Sequence, residues 1–276
     1  MTVRLIATDM DGTFLDGQGS FDRERFSRVL DQLDQKRIPF VIASGNGIGR
    51  LLQLCQGFEQ RLIFVADNGA HIYHQGKTLI RRTIQQEEVE AILHFFKGRW
   101  ADICLMLSNE ENIYMQAGAG MPFAGTDLPI EPAQMAAFQN RVTYLDDLSA
   151  YPNLEPIYKV GLWVPEARVE SITEEFNQAF KGQLVAVTSG YGSIDILPQG
   201  IHKAWGLEQV LTSLDIEPEQ VMAFGDSDND IELLSYVGYP YAMENATDKV
   251  KAVAKYLAPS HLEAGVFQVI EEYIVI

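Results

Sequence analysis

The sequence predicts an α/β fold, a parallel sheet with helices on its faces, interrupted by a large α+β insertion. Three observations carry this reading. Short apolar, β-branched runs alternate with amphipathic segments in the first part of the chain, and the same alternation returns from His202 onward. Between them lies a stretch of antiparallel-looking strands with few helices. The chain also has 276 residues, enough for about two domains at roughly 150 residues each.

Val3 to Thr8 reads as a buried strand that meets an acidic, glycine-containing turn at Asp9 to Gly12. Arg23 to Lys36 places Phe26, Val29, Leu30 and Leu33 on one helical face, and Pro39 leads into a strand at Phe40 to Ala43. A helix is expected at Gly47 to Cys55 and a strand at Leu62 to Ala66, ending at Asp67-Asn68-Gly69. His71 to Ile80 alternates around Gly76 as a hairpin, expected to be exposed.

The stretch that follows is predicted to hold a helix near Glu87 to Phe96, strands at Ile103 to Leu107, Asn112 to Met115 and Tyr158 to Val164, a helix at Val169 to Phe180, and strands at Leu184 to Thr188 and Ser193 to Leu197. After it come helix His202 to Leu214, strand Val221 to Phe224, helix Asp230 to Val237, strand Tyr239 to Met243 and helix Thr247 to Ala254. A last apolar stripe through Val266, Val269 and Ile270 reads as a core-facing helix. The expected division is residues 1–82 with 190–276 as the core domain and 83–189 as the insertion.

Charge narrows the function classes. With 21 basic and 38 acidic residues the net charge is -17, a field that repels nucleic-acid backbones and anionic membranes, so neither is an expected partner. Two cysteines, Cys55 and Cys104, supply neither a disulfide framework nor a four-thiolate zinc site. With no signal-peptide core and no apolar run approaching roughly 18 residues, the expected location is the cytoplasm. Monomer and weak homodimer are equally compatible with the sequence.

Open parallel sheets bind ligands beyond the carboxyl ends of their strands. There the sequence places Asp9-Met10-Asp11-Gly12-Thr13, Ser44-Gly45-Asn46 and Gly225-Asp226-Ser227-Asp228-Asn229-Asp230, with Lys203 opening the helix after the insertion. Carboxylates about 4 Å apart repel by about 4 kcal/mol at an effective dielectric near 20, so gathering several implies a divalent ion. All-oxygen donors favour magnesium, which usually keeps a phosphate for company. Ser44, the amides of Gly45 and Asn46, and Lys203 could cradle that phosphate. One acid could then attack phosphorus while a neighbour handles protons.

In this order, and with a large insertion between the second and third, these motifs resemble the haloacid dehalogenase (HAD) superfamily. Together with Asp67-Asn68-Gly69-Ala70, the insertion point is similar to the Cof-like sugar-phosphatase branch, whose α/β cap (type IIB) closes over a Rossmannoid core. The resemblance implies a cytoplasmic phosphoric monoester hydrolase acting on small-molecule phosphate esters, sugar phosphates in particular, through an aspartyl-phosphate. A phosphomutase using the same intermediate, distinguishable by phosphate release without an acceptor sugar, and a phospho-aspartate signalling module are the alternatives.

Residue by residue, the resemblance makes Asp9 the nucleophile and Asp11 the acid and base. Magnesium would be held by Asp9, the Asp11 main-chain carbonyl and Asp226, with Asp230 in support. Ser44, Gly45, Lys203 and Asn229 would hold the phosphoryl group, and Asn46, Asn68 and Gly69 are further substrate-binding candidates. Many relatives have arginine where this chain has Asn46, which removes a positive charge near the phosphate. His71 and His74 have too few neighbouring ligands for a metal pair. The run Gly45-x-Gly47-x-Gly49 has Arg50 where a dinucleotide fingerprint needs glycine.

Overall fold

The computed structural model describes residues 2–109, 111–122, 132–188 and 190–275. The chain forms two compact units, Met1–Arg81 with Ile201–Ile276, and Arg82–Gly200.

The first unit begins with β1 (Leu5–Thr8), α1 (Arg23–Lys36), β2 (Phe40–Ala43), α2 (Ile48–Leu54) and β3 (Leu62–Ala66), followed by a hairpin of β4 (His71–His74) and β5 (Lys77–Arg81). Every residue of β1, β2 and β3 is buried, as expected for strands covered on both faces. Asp22 caps α1 by accepting a 2.9 Å bond from the Arg25 amide, and the helix ends at Arg37 in a left-handed conformation.

The second unit comprises α3 (Gln86–Phe95), β6 (Met106–Ser108), β7 (Ile113–Gln116), α4 (Pro132–Arg141), β8 (Val142–Leu145), β9 (Lys159–Trp163), α5 (Glu166–Ala179), β10 (Leu184–Thr188) and β11 (Ser193–Pro198). Its six-stranded sheet runs β10-β11-β9-β6-β7-β8. Only β7 and β8 pair in parallel. Val89, Ile92, Phe96, Ile172 and Phe176 share one core with Leu107, Val160, Leu162 and Ile196, so this unit has its own hydrophobic interior.

The chain then adds α6 (Lys203–Leu214), β12 (Val221–Gly225), α7 (Ile231–Tyr236), β13 (Tyr239–Met243), α8 (Asp248–Val253), β14 (Tyr256–Ala258) and α9 (Gly265–Val275) to the first unit. Its eight-stranded sheet has the order β14-β13-β12-β1-β2-β3-β4-β5, parallel from β14 to β3, with the hairpin antiparallel at the edge. From β1 the chain proceeds to β2 and β3 on one side, and the returning segment lays β12 to β14 on the other. The carboxyl end of β1 is therefore the point where the winding reverses, the position at which such sheets open a crevice.

Several expectations need correction. The first unit resumes at Ile201 rather than 190, because β11 pairs with both β9 and β10; Ser189, the expected last residue of the insertion, lies outside the described residues. The strand expected from Ile103 begins at Met106: Leu105 N–H bonds to Trp100 O at 2.9 Å, and Cys104 has φ +45°, so the chain is still turning there. The strands β8 and β14 were not anticipated; each is short, and half or more of each is solvent-exposed. His71 is buried, not exposed, with Nε2 2.9 Å from Thr78 Oγ1. No described helix is long and apolar enough to cross a membrane.

An aromatic cluster joins α1 to the sheet and to α9. Phe26, with no exposure, lies 5.0 Å from Phe14, 5.3 Å from Phe40, 5.0 Å from Phe58 and 6.0 Å from Phe267 between ring centroids. Phe26→Ala should cost about 3–5 kcal/mol of the first unit's stability. A denaturant titration showing under about 1 kcal/mol would mean that the cluster is not a structural anchor.

Candidate active site

The polar clusters that follow β1, β2, β3 and β12 belong to the first unit, as does Lys203. Asp9 immediately follows β1, and its amide bonds to Phe224 O at 3.1 Å, which ties the exit of β1 to its neighbour β12. Gly12 then turns the chain at φ +76°, where an added Cβ would lie 2.5 Å from Asp226 Oδ2. Only glycine permits both the conformation and the approach. Gly225 is equally tight, with a Cβ there meeting the Asp230 side chain at 2.5 Å.

Lys203 occupies the first turn of α6 with no exposure, and its ammonium is 2.9 Å from Asp9 Oδ1 and 2.6 Å from Asp230 Oδ1. Burial alone would lower its pKa, but Asp230 and Asp9 outweigh that and hold it above the usual range. Gly69 lets this happen. At φ +100° it lies so close to the start of α6 that an added Cβ would sit 2.2 Å from His202 O. Its missing side chain leaves room for the close approach of the start of α6.

The second oxygen of Asp230 accepts the amides of Asp226 at 3.0 Å and Ser227 at 3.1 Å. Asp226 Oδ1 accepts from the Thr13 hydroxyl at 2.6 Å, and the Asp226 carbonyl accepts from the Thr247 amide at 3.0 Å. Asp9, Asp226 and Asp230 present oxygens that all lie within 4.8 Å of one another. Burial raises the Asp9 pKa to about 7, with Lys203 opposing and Asp230 adding to the rise. Asp226 is pushed well above the usual carboxylate range by burial, then by Asp9 and Asp230. Three carboxylates facing one ammonium leave negative charge uncompensated, and the donors are all oxygen. A hard divalent cation fits this cluster.

Ser44 and Asn46 follow β2. Ser44 is buried, and its Oγ accepts from the Asn46 amide at 3.2 Å and from Asn46 Nδ2 at 3.1 Å. Gly45, between them, is buried as well. The turn after β3 is fastened to this loop: Asp67 N–H bonds to Asn46 O and Asn68 N–H to Ser44 O, each at 3.0 Å. Asp67 and Asn68 adopt φ of +50° and +52°, uncommon for residues with side chains, and the crossed bonds hold them there. Asn68 Oδ1 accepts from Asn229 Nδ2 at 2.9 Å, joining the loops after β3 and β12. Asp228, in the same loop, pairs with Lys249 at 2.8 Å.

The side chain of Asp11 stands apart from the acidic trio. Its Oδ2 accepts from Asn46 Nδ2 at 2.5 Å, and its Oδ1 is 2.9 Å from Arg50 Nη2. Arg50 was not foreseen as a site residue. It lies in α2, four residues after Asn46. Thr13 and Asn245, whose Nδ2 donates to Gly12 O at 2.8 Å, also escaped sequence reasoning. Thr13 lies inside a quoted motif, whereas nothing around Asn245 marks it.

The raised Asp9 pKa has a measurable consequence. A carboxyl whose folded pKa exceeds its unfolded value of 3.8 binds its proton more tightly in the folded state, so stability falls as pH rises towards about 7. A divalent cation should offset that loss. The gain in thermal midpoint on adding it to chelator-treated protein should be larger at about pH 8 than at about pH 5. An equal gain at both would place cation binding elsewhere.

The sequence profile of the haloacid dehalogenase-like hydrolases matches residues 6–270. The chain is 33% identical over 273 residues to the 5-amino-6-(5-phospho-D-ribitylamino)uracil phosphatase YbjI of Escherichia coli (strain K12), covering 99% of this chain and 96% of that protein. It is 25% identical over 251 residues to the HMP-PP phosphatase of Serratia proteamaculans (strain 568), covering 91% of this chain and 87% of that one. Among solved structures, SMU.1108c from Streptococcus mutans UA159 superposes with a TM-score of 0.87 at 35% identity over 100% of both chains. A haloacid dehalogenase-like hydrolase from B. subtilis shares the fold, with a TM-score of 0.81 at 20% identity over 98% of this chain and 99% of the other.

Proposed function

Because this chain belongs to the haloacid dehalogenase-like hydrolases, we propose that it is a magnesium-dependent phosphatase of small phosphomonoesters, sugar or sugar-alcohol phosphates among them, working through an aspartyl-phosphate on Asp9. The observation that carries this is the Asp9 carboxylate at the carboxyl end of β1, gripped by Lys203 at 2.9 Å beside Asp226 and Asp230. The Escherichia coli relative is named for a substrate bearing a 5-phospho-D-ribityl chain, which supports a phosphorylated polyol or sugar as the substrate class here.

Asp9 and Asp226, with the Asp11 main-chain carbonyl, would hold magnesium, and Asp230 would stand behind them. When bound, the ion supplies the positive charge that lets an anionic phosphoryl group approach so many carboxylates. Ser44 Oγ accepts two bonds from Asn46, so its own hydroxyl hydrogen can be offered to a phosphoryl oxygen. Lys203 has three N–H donors and spends two on Asp9 and Asp230, which leaves one for the phosphoryl group.

A carboxylate oxygen of Asp9 attacks phosphorus while the ester oxygen departs. Asp11 delivers its proton to that oxygen, so an alcohol leaves and Asp9 carries the phosphoryl group. Asp11, now a carboxylate, takes a proton from water as the water attacks the phosphorus of the acyl phosphate. Inorganic phosphate departs and Asp9 is regenerated.

Asp9→Asn should abolish turnover while circular dichroism stays unchanged; retained activity would remove the covalent step. Chelation with EDTA should silence phosphate release from a panel of hexose, pentose and tetrose phosphates, and magnesium should restore it. Undiminished turnover in chelator would reject the ion's role. Asp11→Asn should reduce kcat by about 10²- to 10⁴-fold, the usual worth of a general acid and base. A change confined to KM would contradict that role.

A further inference from the structure

Asp11 differs from the other acids of the site in what holds it. Asp9 and Asp230 are fixed by the buried ammonium of Lys203, and Asp226 by a hydroxyl, whereas both Asp11 oxygens are held by one short stretch of chain around the start of α2. Asn46 takes Oδ2 at 2.5 Å, and Arg50 takes Oδ1 at 2.9 Å through a single nitrogen, Nη2. Asn46 in turn is bonded to Ser44 Oγ, so Ser44, Asn46, Asp11 and Arg50 form one chain of contacts.

Stability does not account for this pair. The side chains of Arg50 and Asp11 are 23% and 20% exposed, and ion pairs that water reaches contribute about 0–1 kcal/mol. Nor is the grip the two-pronged one that arginine makes when it locks a carboxylate, because the buried Nε of Arg50 has no hydrogen-bond partner. A one-nitrogen contact orients a carboxylate yet breaks at little cost.

We propose that Arg50 is a positioning residue for proton transfer: with Asn46 it fixes the orientation of the Asp11 carboxyl group, and so governs delivery of a proton to the departing oxygen. This deepens the phosphatase reading and rests on it. Arg50 acts through Asp11, so its loss should resemble a weakened version of the loss of Asp11. The effect should depend on how much the leaving group needs a proton.

Two substrates separate this from a role in folding or in phosphate binding. An alkyl phosphate such as glycerol 3-phosphate releases an alcohol that must be protonated, whereas 4-nitrophenyl phosphate releases a phenolate stable without a proton. First-turnover cleavage at saturating substrate, by rapid quench for the former and nitrophenolate absorbance for the latter, isolates bond breaking from later hydrolysis. Arg50→Gln should slow the alkyl ester about 10-fold or more, within the ceiling set by general acid catalysis, and the aryl ester less than about 3-fold. Arg50→Lys should recover part of the alkyl rate. In an Asp11→Asn background, Arg50→Gln should cost nothing further.

Equal losses on both substrates would assign Arg50 to phosphate binding or to folding and overturn the proposal. So would additive losses in the double variant, or no loss on the alkyl ester. If Asp11→Asn itself shows no dependence on the leaving group, the acid role beneath the proposal fails. If Asp11→Asn shows that dependence and Arg50→Gln does not, only the inference about Arg50 fails.

Discussion

One buried ammonium organises the first unit. Lys203 has no exposure, and a charge so placed is tolerable only between partners of opposite sign, which Asp9 and Asp230 supply at 2.9 and 2.6 Å. The dependence runs both ways, since three carboxylates with oxygens within 4.8 Å could not be gathered without it. Asp9 comes from β1, Asp230 from the segment after β12, and Lys203 from the point where the chain re-enters this unit. The pairing of β1 with β12 brings the first two of these together. Gly69 serves that convergence from below, where its missing side chain leaves room for the start of α6.

The same balance explains why the site is suited to phosphoryl chemistry. Negative charge exceeds positive among Asp9, Asp226, Asp230 and Lys203, so a phosphate anion alone would be repelled. A hard cation would reconcile the acids with the anion, and with each other. The backbone amides on Asp230 and the Thr13 hydroxyl on Asp226 hold the carboxylates in place beforehand, so little rearrangement is needed when charge arrives. Asp11 lies outside this group, with its carboxylate on Asn46 and Arg50.

The second unit builds its own sheet and core and contributes none of these contacts. It is inserted after the edge hairpin, where the parallel sheet has already ended, so an interruption there breaks no ladder between parallel strands. Its exit is where local pattern misled. Ser193–Pro198 alternates like any strand, and only its partners, β9 and β10, assign it to the insertion.

By itself the sequence determined the parallel sheet, the insertion and the polar clusters, because each is written locally: buried strands as apolar runs, and strand exits as Asp, Ser, Asn and Gly. It did not disclose β8 or β14, exposed edge strands that carry no pattern of their own. Nor did it single out Arg50, whose type and spacing suit any solvated helix face. Tertiary structure decided which of the clustered residues touch: that Asn68 meets Asn229, that Gly69 leaves room for the start of α6, and that Asp11 is held by Asn46 and Arg50. The physical reason is range. Strand and helix patterns arise between residues a few positions apart, whereas the partners of a buried charge are set by which distant segments the sheet order brings together.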